Sequence, residues 1–163
     1  MKGSLSHELE VSLPADQLWQ VYSTLRLAQL SAELLPTVIS KVEVEEGDGG
    51  VGTLLRVTYA LGIPGMKYHK ERFVKIDHEK RLKEALFVEG GHLDLGFSSY
   101  LIRLEILEKG HNSSVIKSTV EYEVDEEHAA NASFATTDPF MIIGGAVSEH
   151  LLQKKSNCSI MLL

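Results

Sequence analysis

Two neighbouring strand-like segments carry the residues best suited to acid-base chemistry. They cover residues 67–73 and 81–87, and polar and apolar types are interleaved in both. Because successive side chains of a strand point to opposite faces, one face of each segment carries a distinct set of three: His69, Glu71 and Phe73 in the first, and Lys83, Ala85 and Phe87 in the second. A lysine beside apolar neighbours and a glutamate on the adjoining strand form a candidate proton donor and a candidate acceptor.

Whether these side chains meet depends on the length of the turn near His78. A three-residue turn would pair Phe73 with Ala85 and put both sets on one face, whereas a two-residue turn would put them on opposite faces. In the first register Glu71 and Lys83 are about four residues apart along the strands, roughly 13 Å, which is too far for a salt bridge but suited to bracketing a ligand. The alternative is that both are solvated charges on a half-exposed sheet. The pattern alone leaves both interpretations open.

The rest of the chain predicts a sheet to hold this hairpin. Residues 4–13 alternate and indicate a first strand, after which Pro14 favours a helix start and a second short helix covers residues 27–35. Further strand-like segments follow, separated by turn residues, at 38–45, 53–61, 66–76, 81–89, 93–107 and 114–124. The connections are too short for crossover helices, so neighbouring strands should pair as antiparallel hairpins.

The last segment, residues 126–154, is alanine-rich and has apolar residues at helical spacing. Pro139 cannot donate a backbone hydrogen bond and Asp138 is suited to cap a new start, so we expect two helical pieces. The order predicts an α+β fold, a seven-stranded curved antiparallel sheet wrapped around a long C-terminal helix, with two short helices after strand one. We expect a single domain over residues 1–156 and a loose tail over residues 157–163.

Charge and composition exclude several classes of partner. The chain has 163 residues and a net charge of −7, which repels phosphate backbones and anionic headgroups, and no basic patch offsets it. We therefore expect neither a nucleic-acid nor a membrane partner. The longest stretch of uncharged residues, 129–148, is broken by Asp138, Pro139 and Gly144-Gly145 and is too polar to span a bilayer. The N-terminus has no apolar h-region, so the expected location is cytoplasmic.

Other familiar site types are poorly supported. The glycine-rich loop at residues 46–53 lacks the Gly-Lys-Ser/Thr ending of a phosphate-binding loop and is flanked by strands, which favours a hairpin turn with positive φ angles. The seven histidines show no metal-binding spacing, and the single Cys158 lies near the end of the chain. No Gly-x-Gly-x-x-Gly follows a strand. We therefore expect no metal and no cofactor.

Several motifs together resemble the birch-pollen-allergen family of class-ten pathogenesis-related plant proteins. They are the glycine-rich loop, the Tyr-His-Lys-Glu-Arg-Phe strand at 68–73, the turn at 77–83 and the Glu-Gly-Gly-His-Leu-Asp-Leu-Gly segment at 89–96. The resemblance covers essentially the whole chain and is closest to the norcoclaurine synthase branch. It implies a large internal apolar cavity between the sheet and the C-terminal helix.

The resemblance also assigns roles to individual residues. Lys83 stands where the branch has its catalytic lysine and Glu71 where it has its glutamate, while the branch's aspartate is replaced by Ile102, which implies a drier cavity. The branch's tyrosine at the cavity mouth falls on His69, with Tyr68 one residue away; strand alternation favours His69 inward, but a bulge would exchange them. The implied substrate-binding residues are Tyr59, Tyr68, His69, Phe73, Ala85, Phe87 and Ile102.

The function implied is the condensation of an amine with an aromatic aldehyde in plant alkaloid biosynthesis, most closely of tyramine with 3,4-dihydroxybenzaldehyde to the imine norcraugsodine on the way to norbelladine. Lys83 would be the acid, with a pKa lowered by burial, and Glu71 the base. The chain offers no hydride carrier, so reduction of the imine implies a separate NADPH-dependent reductase.

Two other functions stay open at this point. One is a non-enzymatic carrier or receptor of small apolar ligands such as cytokinins or flavonoids. The other, which has less support, is a surface-interaction protein without a cavity. A carrier of neutral ligands has little reason to bury Lys83 beside Glu71, because desolvating a charge is costly.

Overall fold

The computed structural model describes residues 1–60 and 65–161, with side chains described as far as residue 156. The strands and helices follow one another along the chain as β1 (Lys2–Val11), α1 (Ala15–Tyr22), α2 (Arg26–Leu34), β2 (Ile39–Glu46), β3 (Leu54–Tyr59), β4 (Tyr68–Asp77), β5 (Leu82–Gly90), a 3₁₀ segment (Gly91–Leu95), β6 (Phe97–Gly110), β7 (Ser113–Val124), a second 3₁₀ segment (Glu126–Phe134) and α3 (Asp138–Met161).

The strands form one seven-stranded sheet in the order β1-β7-β6-β5-β4-β3-β2, and every neighbouring pair is antiparallel. The consecutive strands β2 to β7 pair as hairpins because their connections are short, and β1 joins the far edge beside β7. The predicted α+β fold, with two short helices after strand one and a long C-terminal helix, is therefore confirmed.

Apolar packing closes one end of the molecule and holds the helices on the sheet. Leu13 and Leu18 are fully buried in a cluster with the ends of β1, β6 and β7. A second cluster joins Leu30 of α2 to Val147 of α3. Because this packing anchors α3 through its middle, the first turns of α3 are left to face an interior space instead of a filled core.

The segment before β6 differs from the sequence-based prediction. Residues 93–95 were predicted to open a strand, but Gly91–Leu95 form a 3₁₀ turn and β6 begins at Phe97. Gly91 has a φ of +54°, and a Cβ there would lie 2.9 Å from the Cβ of His69. The glycine permits a close backbone approach that a regular strand start would not allow.

The interruption before the C-terminal helix was predicted correctly, although its details differ. The 3₁₀ segment ends at Phe134 and α3 begins at Asp138, with the backbone N–H of Asp138 donating to Thr136 Oγ1 at 3.1 Å. The side chain of Thr136 thus supplies the acceptor expected from Asp138. None of the helices within the described ranges is both long and apolar enough to cross a lipid bilayer.

The expected loose tail at residues 157–163 lies partly within α3, because this helix continues to Met161. Residues 162 and 163 lie outside the described residues, as does residue 61, where the third predicted strand ended.

The glycine-rich loop at residues 47–53 connects β2 to β3, and its conformation confirms the hairpin interpretation. Gly47 and Gly49 have φ angles of +87° and +108°, in the region that favours glycine. The N–H of Gly49 donates to Thr53 Oγ1 at 2.8 Å, which closes the loop on itself.

Candidate active site

A cavity of about 280 Å³ lies between the sheet and helices α2 and α3. This volume is near the lower end of the range of about 300–1,000 Å³ that is common for small-molecule sites. Its wall is mostly apolar, and the ionisable side chains that the described residues place on it, apart from tyrosines, are His69, Glu71, Lys83 and His92. Such a wall is suited to aromatic ligands, and the few polar side chains on it are the candidates for orienting a ligand or transferring protons.

The β4–β5 hairpin puts the predicted residues on the cavity face, but by a different route from the one expected. The turn has four residues, since Asp77 pairs with Leu82, where three were expected. A bulge at Val74 then shifts the register by one, so that Phe73 pairs with Ala85 after all. As a result both sets line the cavity: His69, Glu71 and Phe73 from β4, and Lys83, Ala85 and Phe87 from β5.

Lys83 is buried, with only 4% of its surface exposed. Its Nζ donates to the backbone oxygen of Tyr22 at 3.2 Å and lies 3.8 Å from the centre of the Phe73 ring. Burial lowers the pKa of Lys83 to about 8, although the negative charge of Glu71 opposes the shift. The interpretation of Lys83 as a solvated surface charge is therefore wrong, and this ammonium can give up a proton near neutral pH.

Glu71 lies opposite Phe87, four residues along β5 from Lys83. Its Oε1 is 2.8 Å from His69 Nε2, and its side chain is 19% exposed. Burial would raise the pKa of Glu71, but the hydrogen bond and attraction from His69, together with the charge of Lys83, bring it below its ordinary value. Glu71 is therefore a carboxylate, not a carboxylic acid, at neutral pH.

The choice between Tyr68 and His69 is settled by strand alternation. His69 is buried on the cavity wall, where its ring stacks on Phe87 at 3.9 Å between centroids. Tyr68 points to the other face of the sheet, where its hydroxyl donates to Glu89 at 2.9 Å and its ring holds the guanidinium of Arg56 at 4.0 Å.

The expectation that Tyr68 contacts the substrate is thus corrected, because Tyr68 is absent from the cavity wall. The bulge at this end of the hairpin lies in β5, at Val88, where Glu71 pairs with Phe87 and Lys70 with Glu89. The alternation of β4 itself therefore continues without interruption, and the exchange of Tyr68 with His69 does not occur.

The other predicted positions all lie on the cavity wall. Ile102 pairs with Ala85 across β5 and β6 and is 3% exposed, so the strand presents an apolar side chain where an acid would add charge. Tyr59 extends from β3, and its hydroxyl is hydrogen-bonded to His69 Nδ1. Burial, together with the charge of Glu71, raises the pKa of Tyr59 above its ordinary value.

Sequence reasoning did not identify His92 and Tyr100 as wall residues. Their rings stack at 3.9 Å between centroids, and His92 Nε2 lies 2.9 Å from the backbone oxygen of Phe134. Burial lowers the pKa of His92, which keeps this imidazole neutral. The glycine pair Gly90–Gly91, whose φ angles are both positive, directly precedes His92 and is a signal in the sequence for a turn at this position.

Within the described ranges, no group of three or more histidine, cysteine, aspartate or glutamate side chains is arranged to hold a metal ion. The cavity therefore offers acid, base and apolar surface from the chain itself: one partly acidic ammonium, one carboxylate linked to an imidazole, and aromatic rings.

Comparison with known proteins identifies a family and several relatives of this chain. The profile of the pathogenesis-related protein Bet v 1 family matches residues 1–155. S-norcoclaurine synthase 1 of Papaver somniferum is 43% identical over 157 residues, which cover 95% of this chain and 68% of that protein. S-norcoclaurine synthase of Thalictrum flavum subsp. glaucum is 41% identical over 155 residues, which cover 93% and 72%.

Solved structures agree with this relationship. A point mutant of Thalictrum flavum norcoclaurine synthase with a transition-state analogue has a TM-score of 0.87 at 40% identity and covers 95% of this chain and 97% of its own. The same enzyme in complex with dopamine and hydroxybenzaldehyde has a TM-score of 0.83 at 39% identity, with coverages of 94% and 88%. The chain belongs to the Bet v 1 family of pathogenesis-related proteins and is closely related to its norcoclaurine synthases.

Proposed function

We propose that this protein condenses tyramine with 3,4-dihydroxybenzaldehyde to the imine norcraugsodine, from which reduction yields norbelladine in plant alkaloid biosynthesis. The observation that carries the proposal is the burial of the Lys83 ammonium, with a pKa of about 8, in an apolar cavity that also holds the Glu71 carboxylate. A related enzyme whose structure contains dopamine and hydroxybenzaldehyde supports an amine and an aromatic aldehyde as the substrate pair.

The reaction needs groups of these kinds. The amine attacks the aldehyde carbon to give a carbinolamine, whose hydroxyl must be protonated before it leaves as water and the C=N bond forms. A positioned acid accelerates such a step about 10²- to 10⁴-fold. Lys83 is the acid, because its low pKa favours proton transfer, and it recovers the proton from the iminium nitrogen. Glu71 is the base and balances the positive charge that develops on nitrogen.

The open imine is the expected product with tyramine. Cyclisation onto the amine's ring needs a hydroxyl para to the attacking carbon, and the single hydroxyl of tyramine is meta to it. Ile102, which contributes only apolar surface to the wall, adds no further base to assist cyclisation. Reduction of the imine requires hydride, and we assign this step to a separate NADPH-dependent reductase.

Mass spectrometry of initial product formation tests the proposal. Purified protein is mixed with tyramine and 3,4-dihydroxybenzaldehyde, with and without a chemical hydride source, beside a buffer blank that measures the spontaneous reaction. We expect imine to form faster than in the blank, and the reduced amine only when hydride is present.

Two outcomes would count against parts of this proposal. Tight binding of cytokinins or flavonoids without any acceleration over the blank would instead make the protein a carrier. A matched reaction with dopamine tests the finer assignment: a much faster reaction with dopamine than with tyramine would leave condensation standing but remove tyramine as the amine.

A further inference from the structure

Three side chains on the cavity wall form a continuous hydrogen-bonded chain. The hydroxyl of Tyr59 contacts His69 Nδ1, and His69 Nε2 lies 2.8 Å from Glu71 Oε1. The first two residues come from adjacent strands, since His69 pairs with Val57 two residues before Tyr59. All three line the cavity, so the chain runs along the wall rather than behind it.

The direction of these hydrogen bonds follows from the charge on Glu71. The pKa of its carboxyl lies below the ordinary value, so it is a carboxylate and can only accept. His69 Nε2 must therefore carry a proton, and in the tautomer with this single ring proton Nδ1 is an acceptor. Tyr59, whose pKa is raised by burial, keeps its proton and donates it to Nδ1. Hydroxyl, imidazole and carboxylate are thus ordered like the groups of a proton-transfer triad.

The surrounding packing holds His69 in this orientation. Its ring lies parallel to Phe87, with an angle of 12° between the ring planes. The backbone of Gly91 also comes so close that a Cβ there would stand 2.9 Å from the Cβ of His69 and 3.3 Å from the Phe87 ring. A ring fixed by packing and by hydrogen bonds at both nitrogens costs little reorganisation when a proton moves.

We propose that Tyr59, His69 and Glu71 form a proton relay that deprotonates the ammonium group of the bound amine, an inference that rests on the condensation proposed above. A primary alkylamine is protonated at neutral pH and cannot attack an aldehyde until it loses a proton. The Tyr59 oxygen keeps a lone pair after donating to His69 and is the relay atom that meets the substrate.

The proton balance of this step is complete. The ammonium N–H bond breaks, its proton goes to the Tyr59 oxygen, and the original Tyr59 proton moves to His69 Nδ1. The imidazolium that results lies between Tyr59 and the Glu71 carboxylate, so Glu71 acts as the base through His69 and stays ionised itself. The nitrogen lone pair is then free to form the C–N bond. After imine and water leave, the imidazolium releases its proton to solvent, so each turnover releases the one proton that the ammonium brought.

Lys83 and the relay act at different ends of the cavity wall. Lys83 on β5 protonates the departing oxygen and recovers the proton from the iminium, whereas the relay on β3 and β4 deprotonates the ammonium group before the attack. The other ionisable groups that face His69 are Glu71 on its own strand, Tyr59 on β3 and His92 in the turn after β5. Burial keeps His92 neutral, so Glu71 supplies the charge that stabilises the imidazolium.

The test compares two amines in His69→Gln and Tyr59→Phe variants. Glutamine can keep a donor toward Glu71 and an acceptor toward Tyr59 but cannot take up a proton. With tyramine at pH 7 both variants should lose about 10²-fold or more in kcat/KM. With 4-hydroxybenzyloxyamine, an alkoxyamine that is already uncharged at this pH, the kcat/KM of both variants should lie within a few fold of the wild-type value. His111→Gln, at an exposed histidine, is the matched control and should alter neither reaction.

Each outcome has a distinct meaning. A selective loss with tyramine supports the relay, because a merely structural role would slow both amines alike. An equal loss with both amines in folded variants, checked by circular dichroism and ligand binding, would overturn the relay and leave the condensation intact. If the unchanged protein accelerates neither amine, the proposed function itself fails.

Discussion

Replacing Lys83 with alanine should lower the rate of imine formation by about 10²- to 10⁴-fold, toward the spontaneous rate. Lys83 is buried at 4% exposure, and burial lowers the pKa of its ammonium to about 8. Without it, the carbinolamine hydroxyl has no positioned proton donor. Affinity for the aldehyde, measured by calorimetry or fluorescence quenching, should change by no more than a few fold, because the apolar wall that holds the ring stays in place.

Lys75→Ala is the matched control for this variant. Lys75 lies on the adjoining strand β4 but is exposed to solvent, so its removal should leave the rate unchanged. Full activity in a folded Lys83→Ala protein would contradict acid catalysis by Lys83. The same rate loss in the Lys75 variant would instead indicate a general effect of charge on the sheet.

Replacing Glu71 with glutamine should also lower the rate by about 10²- to 10⁴-fold, and it should change the pH dependence in a defined direction. The charge of Glu71 raises the pKa of Lys83 against the effect of burial. Removing that charge therefore lowers the pKa of Lys83 below about 8. Since Lys83 must be protonated to act as an acid, the fall in rate on the alkaline side should begin at a lower pH in the variant.

The control for the second variant is Glu79→Gln, in the exposed turn of the same hairpin. It should keep both the rate and the alkaline limb of the unchanged protein. An unshifted alkaline limb in Glu71→Gln would show that the two charges are not coupled. On the acid side, Glu71 stays ionised to below its ordinary pKa, so its protonation should not limit the rate near neutrality.

Much of the fold could be predicted because its signals are local. Alternation in the strands, the proline before α1 and the Asp138–Pro139 break each reflect the hydrogen bonding of a few adjacent residues. The 3₁₀ turn at Gly91–Leu95 could not be predicted in this way. It depends on the close approach of Gly91 to His69, which is a tertiary contact between positions far apart in the chain.

The candidate site shows the same division. Which residues share a face of β4 follows from period-two alternation, and this indicated His69, Glu71 and Phe73 correctly. The relative position of Lys83 depended on the turn length and on the bulge at Val74, which compensate for each other. The hydrophobic pattern determines neither the turn length nor the bulge, so both registers of β4 against β5 were compatible with the sequence. The hydrogen bond between Tyr59 and His69 could not be predicted either, because it depends on the register of β3 against β4.

The central claim is that the amine of Lys83 lies in a dry interior where aromatic substrates bind. An NMR titration of lysine-labelled protein tests it most directly, with the Lys83 signal identified by its absence in Lys83→Ala. We expect Lys83 to titrate near 8, well below the value of about 10.4 for exposed lysines, and to shift again when 3,4-dihydroxybenzyl alcohol, an unreactive relative of the aldehyde, fills the cavity. A Lys83 signal that titrates with the other lysines and does not respond to this ligand would contradict the account.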